Sequence, residues 1–577
     1  MALINGALQI GRSAITASQA ALAVTGNNMA NAATPGYSRQ NVQLAPTQYT
    51  EVMPGKYTGT GVILQEVRRQ IDDALNGRIR TAVGESASYL VQQQTMMRVE
   101  AAFNELTDQD LSTRLNSLFS SFSALQSQPH DIASRSVVLQ EGASLTNFVR
   151  EVSRELTSIQ EDLDAQVRYQ VEQADALANQ IADLNQQVAV AEAGRGGSAA
   201  ALRDQRDMLL KELSGLISIT DREVEGGSVN VFIGSEPLIQ YSDSRGLSYV
   251  ETEDANGNKL AQIVFSDNED TVALTSGKIY GQITTRDDQV GGVIDDLDNW
   301  TKAMIFEVNK LHSLGRGLDG FTSVTSSLNV DDADASLAAT AETGLPWQAS
   351  NGVFFVQVYD SNGDAISGPQ MVEVNIGMGG TDTTLNSLAV SLNNVNGITA
   401  SVDGSNYLQI DATTSGHTFA FSAPTDSGDA TDALAALGIN TFFDGYNAST
   451  MDVRTDLAAD PRQLAAGANG LPGNGDVAGQ IAQLATSGVT SLNGLSINDK
   501  FRSIVGGIAT DSKAAQDNYT AADVVVETLE LERQSISGVS IDEEAMHMIV
   551  FQRAFQGAAR YISLIDQLLD EVIALAG

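Results

Sequence analysis

Apolar and small residues recur near the start of the chain with alternating spacings of four and three, which places them on one face of a helix. The stripe consists of Ile4, Leu8, Gly11, Ile15, Ser18, Leu22 and Met29, with Thr25 keeping the spacing. It ends at residues 31–36, where Pro35 disfavours helical geometry at Thr34 and Gly36 allows a turn. The pattern predicts a first helix of about 30 residues.

The end of the chain carries a second heptad pattern that lasts four heptads. One heptad position holds Ile541, Met548, Phe555, Ile562 and Leu569, and its partner position holds Phe551, Ala558, Ile565 and Val572. Ser540 followed by Glu543 is typical of a capping box at a helix start. Both ends are therefore predicted to be long amphipathic helices, and each needs a partner to bury its apolar seam.

Helical spacing also dominates much of the chain between the two ends. Residues 134–193 are predicted to form one helix of roughly 90 Å. The glycine-rich residues 194–198 end this helix, and the leucines of 202–216 predict a second helix after the break. A short break between two helices favours an antiparallel helical hairpin. Further helices are predicted over 85–128 and 293–311.

Short alternating runs predict strands in two regions of the middle. The first begins after Ile217 and includes residues 229–233 and a turn at 254–258. The second, residues 323–446, is rich in Thr, Ser, Asp, Gly and Val. Its predicted strands are 353–359, 372–376, 398–402 and 407–410.

These elements predict an α+β fold, with a long helical, coiled-coil-like core formed by both chain termini and nested β-rich inserted domains. The predicted domains are a terminal coiled-coil inner domain (1–35 plus 540–577), a helical-hairpin core domain (36–322 plus 447–539, with a β-rich segment near 217–285) and an inserted β-rich outer domain (323–446).

Composition narrows the range of partners. The 577 residues include 33 Lys plus Arg against 72 Asp plus Glu, a formal charge of −39, so nucleic acid is not the expected partner. The absence of cysteine excludes disulfides, thiolate zinc sites and cysteine nucleophiles. No apolar run is long enough for a membrane span, and residues 1–10 lack the basic residue of a signal peptide.

Three short motifs resemble ligand-binding sequences, but each lacks a residue or a structural element that such a site requires. Residues 315–320 have the spacing of a dinucleotide fingerprint but follow a helix instead of a strand, so a flexible turn is expected. Glu544 and His547 form a single Glu-x-x-His pair, which predicts an ordinary helix surface. Residues 360–364 start like a calcium loop, but Ala365 replaces its glycine, so a hairpin turn is expected. We therefore predict no catalytic, cofactor-binding or metal-binding residues, and no enzyme activity.

The two terminal stripes are the remaining candidate site. An apolar helical stripe is usually core, but stripes at both ends of a long chain suit an assembling subunit as well as a cytoplasmic coiled-coil scaffold. The candidate assembly residues are Ile4, Leu8, Ile15, Leu22, Met29, Met548, Phe551, Phe555, Ile562, Ile565 and Leu569.

The segment 19–39 resembles the amino-terminal signature of the bacterial flagellar rod, hook and hook-associated protein family. Its motif residues are Asn31, Thr34, Pro35, Gly36, Tyr37, Ser38 and Arg39. The resemblance, closest to hook-associated members, extends over Gln40, 59–62, 67–69, 204–207, Val308, Asn309, His312, 460–466, 537–544 and 551–560. Residues 323–446 carry none of these motifs.

This resemblance implies a structural axial subunit of the flagellum that joins hook to filament, exported to the cell exterior without a cleaved signal peptide. The implied partners are copies of the chain itself, the hook protein, the next hook-associated protein and a cytoplasmic export chaperone at the C-terminal helix. The alternatives are another axial protein, such as the hook or a later hook-associated subunit, a cytoplasmic coiled-coil scaffold, and an enzyme within residues 323–446.

Overall fold

The computed structural model describes residues 2–53, 55–103, 110–193, 199–253, 259–377, 381–424, 430–468 and 474–576. Its α-helices are α1 (Ala2–Ala30), α2 (Asp73–Phe103), α3 (Leu111–Ser127), α4 (Ile132–Glu192), α5 (Ala200–Leu216), α6 (Lys278–Thr284), α7 (Gly291–Ser313), α8 (Thr340–Thr343), α9 (Leu385–Asn393), α10 (Ala433–Ala436), α11 (Thr455–Ala459), α12 (Asp476–Gln483), α13 (Ile497–Ser537) and α14 (Ile541–Ala576).

The strands of the described residues are all paired antiparallel. They are β1 (Gln40–Pro46), β2 (Tyr49–Met53), β3 (Lys56–Gly59), β4 (Val62–Arg69), β5 (Thr220–Glu223), β6 (Val229–Ile233), β7 (Glu236–Gln240), β8 (Asp243–Ser244), β9 (Leu247–Glu253), β10 (Lys259–Phe265), β11 (Ser323–Thr325), β12 (Gly352–Tyr359), β13 (Gln370–Val374), β14 (Ile398–Val402), β15 (Leu408–Ala412), β16 (Thr418–Ser422), β17 (Phe443–Asp444) and β18 (Asp452–Val453).

The chain forms two compact units. Unit 1 contains Met1–Gln94, Asp162–Arg286 and Lys513–Gly577, and unit 2 contains Thr95–Glu161 and Asp287–Ser512. The predicted α+β class is confirmed, with long helices at both termini and β-rich segments between them. The units divide the chain inside α2, α4 and α13, away from the predicted boundaries, so the three-domain scheme stays a prediction.

The long helices appear where periodicity predicted them. The structure confirms α1, α4, α5 and α7 to within about three residues at each end, which is close to the usual uncertainty of helix ends. The predicted helical stretch over 85–128 is present as two helices, the second half of α2 and all of α3. Asp110 starts the second helix by accepting a hydrogen bond from the Thr113 amide at 2.6 Å. The predicted break at 194–198 and turn at 254–258 lie outside the described residues.

The largest core of unit 1 lies between helices and small sheets. Strands β5 to β8 form one antiparallel sheet, and β9 pairs with β10. The predicted strand 229–233 is β6, with Val229, Val231 and Ile233 buried and the residues between them half-buried. They pack with apolar side chains from the second half of α4 and from α5. The alternating residues of the strand and the helically spaced residues of α4 and α5 therefore belong to the same hydrophobic core.

Residues 323–446 form a separate hydrophobic core inside unit 2. Two three-stranded sheets, in the orders β13-β12-β16 and β11-β15-β14, enclose it together with α9. The four predicted strands are confirmed as β12, β13, β14 and β15. Helix α9 had no prediction; its first turn is fixed by a capping box between Thr384 and Ser387.

His312 and Asn309 on α7 connect helix to loop in unit 2. The Nδ1–H of the buried His312 donates to Asn440 O at 2.8 Å, and its Nε2 accepts from the Ala465 amide at 2.9 Å. Asn309 Oδ1 accepts from the amides of Phe442 and Phe443. The bond that Nε2 accepts requires a neutral ring, and burial lowers the pKa of His312 to about 4.

Unit 2 should therefore lose stability in acid through His312. Its folded pKa lies below the ordinary value of 6.5, so the stabilisation is complete above pH 6.5 and declines as the pH falls toward 4. We expect the stability advantage of the wild type over His312→Gln to shrink by about 2–3 kcal/mol between pH 7.5 and 4.5. Denaturant unfolding of unit 2 at both pH values measures this. An advantage that stays constant would contradict the assignment, and His547→Gln controls for losing a histidine elsewhere.

Candidate assembly interface

The two terminal helices pack against each other in unit 1 and run antiparallel. Gly11 on α1 lies against Ile562 on α14, and Asn28 on α1 bonds to Glu544 on α14. These contacts are 17 residues apart on α1 and 18 apart on α14, so the two helices keep a constant register between them. The seams predicted for the two chain ends therefore lie on helices that pack within one chain.

Small residues occupy the most deeply buried positions of α1. The buried side of the helix holds Gly11, Ala17, Ser18, Ala21, Thr25 and Asn28. A Cβ atom at Gly11 would lie 2.5 Å from Ile562 Cγ1 and 3.3 Å from Tyr561 Cδ1. The helices thus approach closely enough at Gly11 to require the absence of a side chain there.

The predicted assembly residues lie along this contact to different extents. Ile565 is buried, with 5% of its surface exposed. The half-buried ones are Leu8, Ile15, Leu22, Met29, Met548, Phe551, Phe555, Ile562 and Leu569. The side chain of Ile4 lies outside the described residues. Their role in assembly remains a prediction.

A polar cluster joins the end of α1 to the start of α14. Asn28 Nδ2 donates to Gln40 O at 2.9 Å and to Glu544 Oε2 at 3.1 Å. Asn28 Oδ1 accepts from Tyr37 OH at 2.7 Å and from the Gln40 amide at 3.0 Å. We call Asn28, Tyr37, Arg39, Gln40 and Glu544 the Asn28 cluster. It uses all four hydrogen-bonding positions of the Asn28 amide, two as donors and two as acceptors.

Two ion pairs of Arg39 also stabilise the Asn28 cluster. Arg39 Nε donates to Glu544 Oε1 at 2.8 Å, and its Nη1 donates to Glu543 Oε2 at 2.8 Å. Burial, with the negative charges of Asp204 and Glu544, raises the pKa of Tyr37 to about 12. The phenol therefore keeps its proton and remains a donor to Asn28.

The structure corrects the prediction at Glu544 and confirms the predicted start of α14 after Ser540. Glu544 was predicted to lie on an ordinary helix surface, but it is 2% exposed and bonded to Asn28 and Arg39. Ser540 caps α14 through a 3.4 Å contact from the Glu543 amide. The Glu543 carboxylate pairs with Arg39 at 2.8 Å, which connects it to the Asn28 cluster.

The remaining motif residues form the turn that brings the chain from α1 to this cluster. Asn31 Nδ2 donates to Asn27 O at 3.0 Å, the Thr34 amide donates to Asn31 O at 2.9 Å, and Pro35 is exposed. Gly36 has a φ of 79° and packs against Met208, so a side chain there would be strained and crowded. The structure brings all seven motif residues into one short connection.

A second polar cluster links this turn to α5. Arg69 Nη1 donates to Asp204 Oδ1 at 2.8 Å and to Asp207 Oδ2 at 2.7 Å, while the Ser38 amide donates to Asp204 Oδ2 at 3.3 Å. Burial raises the pKa of Asp204, and Arg69 partly offsets this. The resemblance segments 37–40, 67–69, 204–207 and 537–544 thus meet in unit 1.

Helix α14 exposes further apolar residues that its contact with α1 does not cover. They are Ile541, Met546, Ile549, Val550, Leu564, Leu568, Val572 and Ile573. We call this set the exposed α14 stripe. Within the described residues, no helix is long and apolar enough to cross a membrane, and no group of three or more His, Cys, Asp or Glu side chains is arranged to hold a metal ion.

Comparisons with known proteins match both ends and the middle of the chain. Residues 8–37 match the family model "Flagella basal body rod protein", and 532–575 match "Flagellar basal body rod FlgEFG protein C-terminal". Residues 96–325 match "Flagellar hook-associated protein FlgK helical domain". With its paired ends and these matches, the chain resembles flagellar axial proteins.

The curated relatives that match over their full length share one name. Flagellar hook-associated protein 1 of Bacillus subtilis (strain 168) is 27% identical over 98% of this chain and 97% of its own length. The proteins of that name from Salmonella typhimurium (strain LT2) and Escherichia coli (strain K12) are 24% identical, each covering 99% of both chains. Over almost its whole length, the chain is therefore similar to flagellar hook-associated protein 1.

A solved structure supports the fold. The flagellar hook junction protein FlgK from Burkholderia pseudomallei aligns with 80% of this chain and 100% of its own, with a TM-score of 0.50 and 15% sequence identity.

Proposed function

We propose that this chain is a structural axial subunit of the bacterial flagellum that joins the hook to the filament by self-assembly through its terminal helices. The full-length match to hook-associated protein 1 of three organisms supports this role. The observation that carries the self-assembly is the exposed α14 stripe. It lies beside a seam already filled by α1, so its apolar surface is available to other molecules.

The partners follow from the position of a junction subunit. Copies of this chain contact one another around the axis, the hook protein contacts one end of their ring and the next hook-associated protein contacts the other. The chain acts outside the cell and has a structural, non-catalytic role. A cytoplasmic export chaperone covers the exposed α14 stripe before export, because a long apolar helix face is an aggregation hazard in the free chain.

Deleting the gene tests this function. We expect complete hooks without filaments, and filament monomers released into the medium, because the hook would lack the surface on which the filament starts. Electron microscopy of cell envelopes and immunoblotting of the medium measure the two effects, and the restored wild-type gene is the control. Absent hooks would instead indicate a hook subunit, while normal filaments would contradict any junction role.

Replacing Leu564 and Leu568 with Asp tests the assembly surface separately. Both residues belong to the exposed α14 stripe, so the free chain should fold as before while its junction fails to form. Swimming motility that matches the wild type would rule the stripe out as an assembly surface.

A further inference from the structure

A cleft of about 680 Å³ opens within unit 2, where five chain segments meet. They are the start of α4, the connection after α7, the turn after β12, the start of β16 and the segment that begins at Arg462. Two of these segments, 315–320 and 360–364, are the motifs rejected above as a dinucleotide fingerprint and a calcium loop. The structure confirms a hairpin turn at 360–364, where Tyr359 bridges Ala365.

One side of the cleft contains a buried cation that forms no ion pair with a described carboxylate, although the charge of Asp319 acts on it. Arg135 is 2% exposed, and its guanidinium donates to Pro129 O at 2.6 and 2.9 Å and to Leu464 O. These acceptors are neutral carbonyls, and no described carboxylate forms an ion pair with Arg135. Burial and the nearby charge of Arg462 lower its pKa to about 10. An ionised guanidinium in this place is stabilised by any anion that enters the cleft.

Two more guanidinium groups line the same space. Arg462 is about half exposed and donates through Nε and Nη2 to Asp319, at 2.6 and 3.1 Å. Arg316 lies over the ring of Tyr359, with its Cζ 3.7 Å from the ring centroid. The pairing of Arg462 with Asp319 already shows two-pronged binding of an oxyanion in the cleft.

The charge of the cleft opposes that of the whole chain. Three arginines line it, against the two carboxylates of Asp319 and Asp360. Asp360 is committed to its own turn, since its Oδ1 accepts from the amides of Asn362 and Asp364 at 2.8 and 3.0 Å. The chain as a whole has a formal charge of −39. A concentration of guanidinium groups around one cavity is therefore a local feature that general composition does not explain.

We propose that this cleft binds a small polar oxyanion, a phosphate or carboxylate compound, with Arg462 and Arg316 as its direct ligands and Arg135 as a buried source of positive charge. Planar guanidinium forks match the geometry of both oxyanion types. Asp319 is an internal competitor that holds Arg462 until the ligand replaces it. The polar side chains of Ser361, Asn362 and Asn474 provide hydrogen bonds for the body of the ligand.

Calorimetric titration of the full chain tests this site. The probes are inorganic phosphate and succinate at ionic strength matched with sodium chloride, which separates a phosphate preference from a carboxylate preference. We expect saturable binding of at least one probe to one site. Arg462→Gln should weaken it at least about tenfold, because a charged two-pronged contact is lost. Asp319→Asn should strengthen it about tenfold, because the competing charge is removed.

Matched variants separate a site from general charge effects. Arg502→Gln removes the same charge from unit 2 at an exposed ion pair with Asp499 and should leave the affinity unchanged. Arg462 and Asp319 are both partly exposed, so their variants are expected to fold, unlike a change at buried Arg135. The proposal is overturned if neither probe binds saturably to the wild type and Asp319→Asn, or if Arg502→Gln weakens binding as much as Arg462→Gln. It does not depend on the junction function.

Discussion

Replacing Gly11 with leucine is expected to separate the two terminal helices and to abolish assembly. A Cβ atom alone would lie 2.5 Å from Ile562 Cγ1, and the rest of a leucine cannot enter that space unless α14 moves away from α1. Overpacking of this kind costs about 1–3 kcal/mol or more. Limited proteolysis of the purified chain should then remove both helices while most of unit 2 resists, and cells carrying the variant should not swim.

The matched control is the same substitution at Gly26 on α1. A Cβ atom at Gly26 would meet nothing within 4 Å, so its leucine variant should keep the terminal helices resistant to protease. Equal protease sensitivity of the two variants would mean that the close contact at Gly11 does not hold the helices together.

Replacing Asn28 with alanine is expected to open the connection between α1 and α14. The change leaves Tyr37 OH, the Gln40 amide and carbonyl, and one oxygen of Glu544 without their partner in a buried place. Removing one member of such a network costs about 2–4 kcal/mol. Hydrogen exchange measured by mass spectrometry should show the Gln40 amide and the first turns of α14 exchanging roughly 30-fold faster or more.

Asn27→Ala is the control for this change, because Asn27 is exposed and its side chain bonds at the surface, donating to Tyr37 OH at 3.3 Å and accepting from Asn31 Nδ2 at 2.9 Å. It should alter the exchange rates little. If Asn28→Ala also leaves exchange at Gln40 unchanged, the Asn28 cluster does not stabilise the joint between the terminal helices.

The long helices could be predicted because their signal is local. Spacings of three and four residues identify α1, α4 and α14 without knowledge of their neighbours. The same method favours large apolar side chains, whereas the structure buries the small residues Gly11 and Ala21 on α1. Which small residues allow a close approach depends on the partner helix, and a one-sequence pattern does not contain that information.

The polar clusters could not be predicted because they join distant parts of the sequence. Asn28 and Glu544 are 516 positions apart, and a buried carboxylate on an acidic helix start has the same sequence pattern as an exposed one. The resemblance to flagellar proteins marked residues 37–40, 204–207 and 537–544 as a set, and the structure gives the physical reason: they contact each other.

The strands of residues 40–69 received no prediction because they bury little. Leu44, Tyr49, Tyr57 and Ile63 are exposed in these hairpins, so the alternation that identifies a half-buried strand is weak. Helix α9 was missed for another reason. It is only nine residues long, which is too short for its period to stand out among the surrounding strands.

The central claim is that α1 and α14 of one chain pair with each other, which leaves the exposed α14 stripe for neighbouring subunits. The natural chain has no cysteine, so Gly11→Cys with Ile562→Cys introduces a single possible disulfide. Mild oxidation of the free chain and of isolated flagella, followed by non-reducing electrophoresis and mass spectrometry, measures where it forms. The account predicts an internal disulfide in a chain of monomer mass in both samples, whereas disulfide-linked dimers, or no disulfide at all, would contradict it.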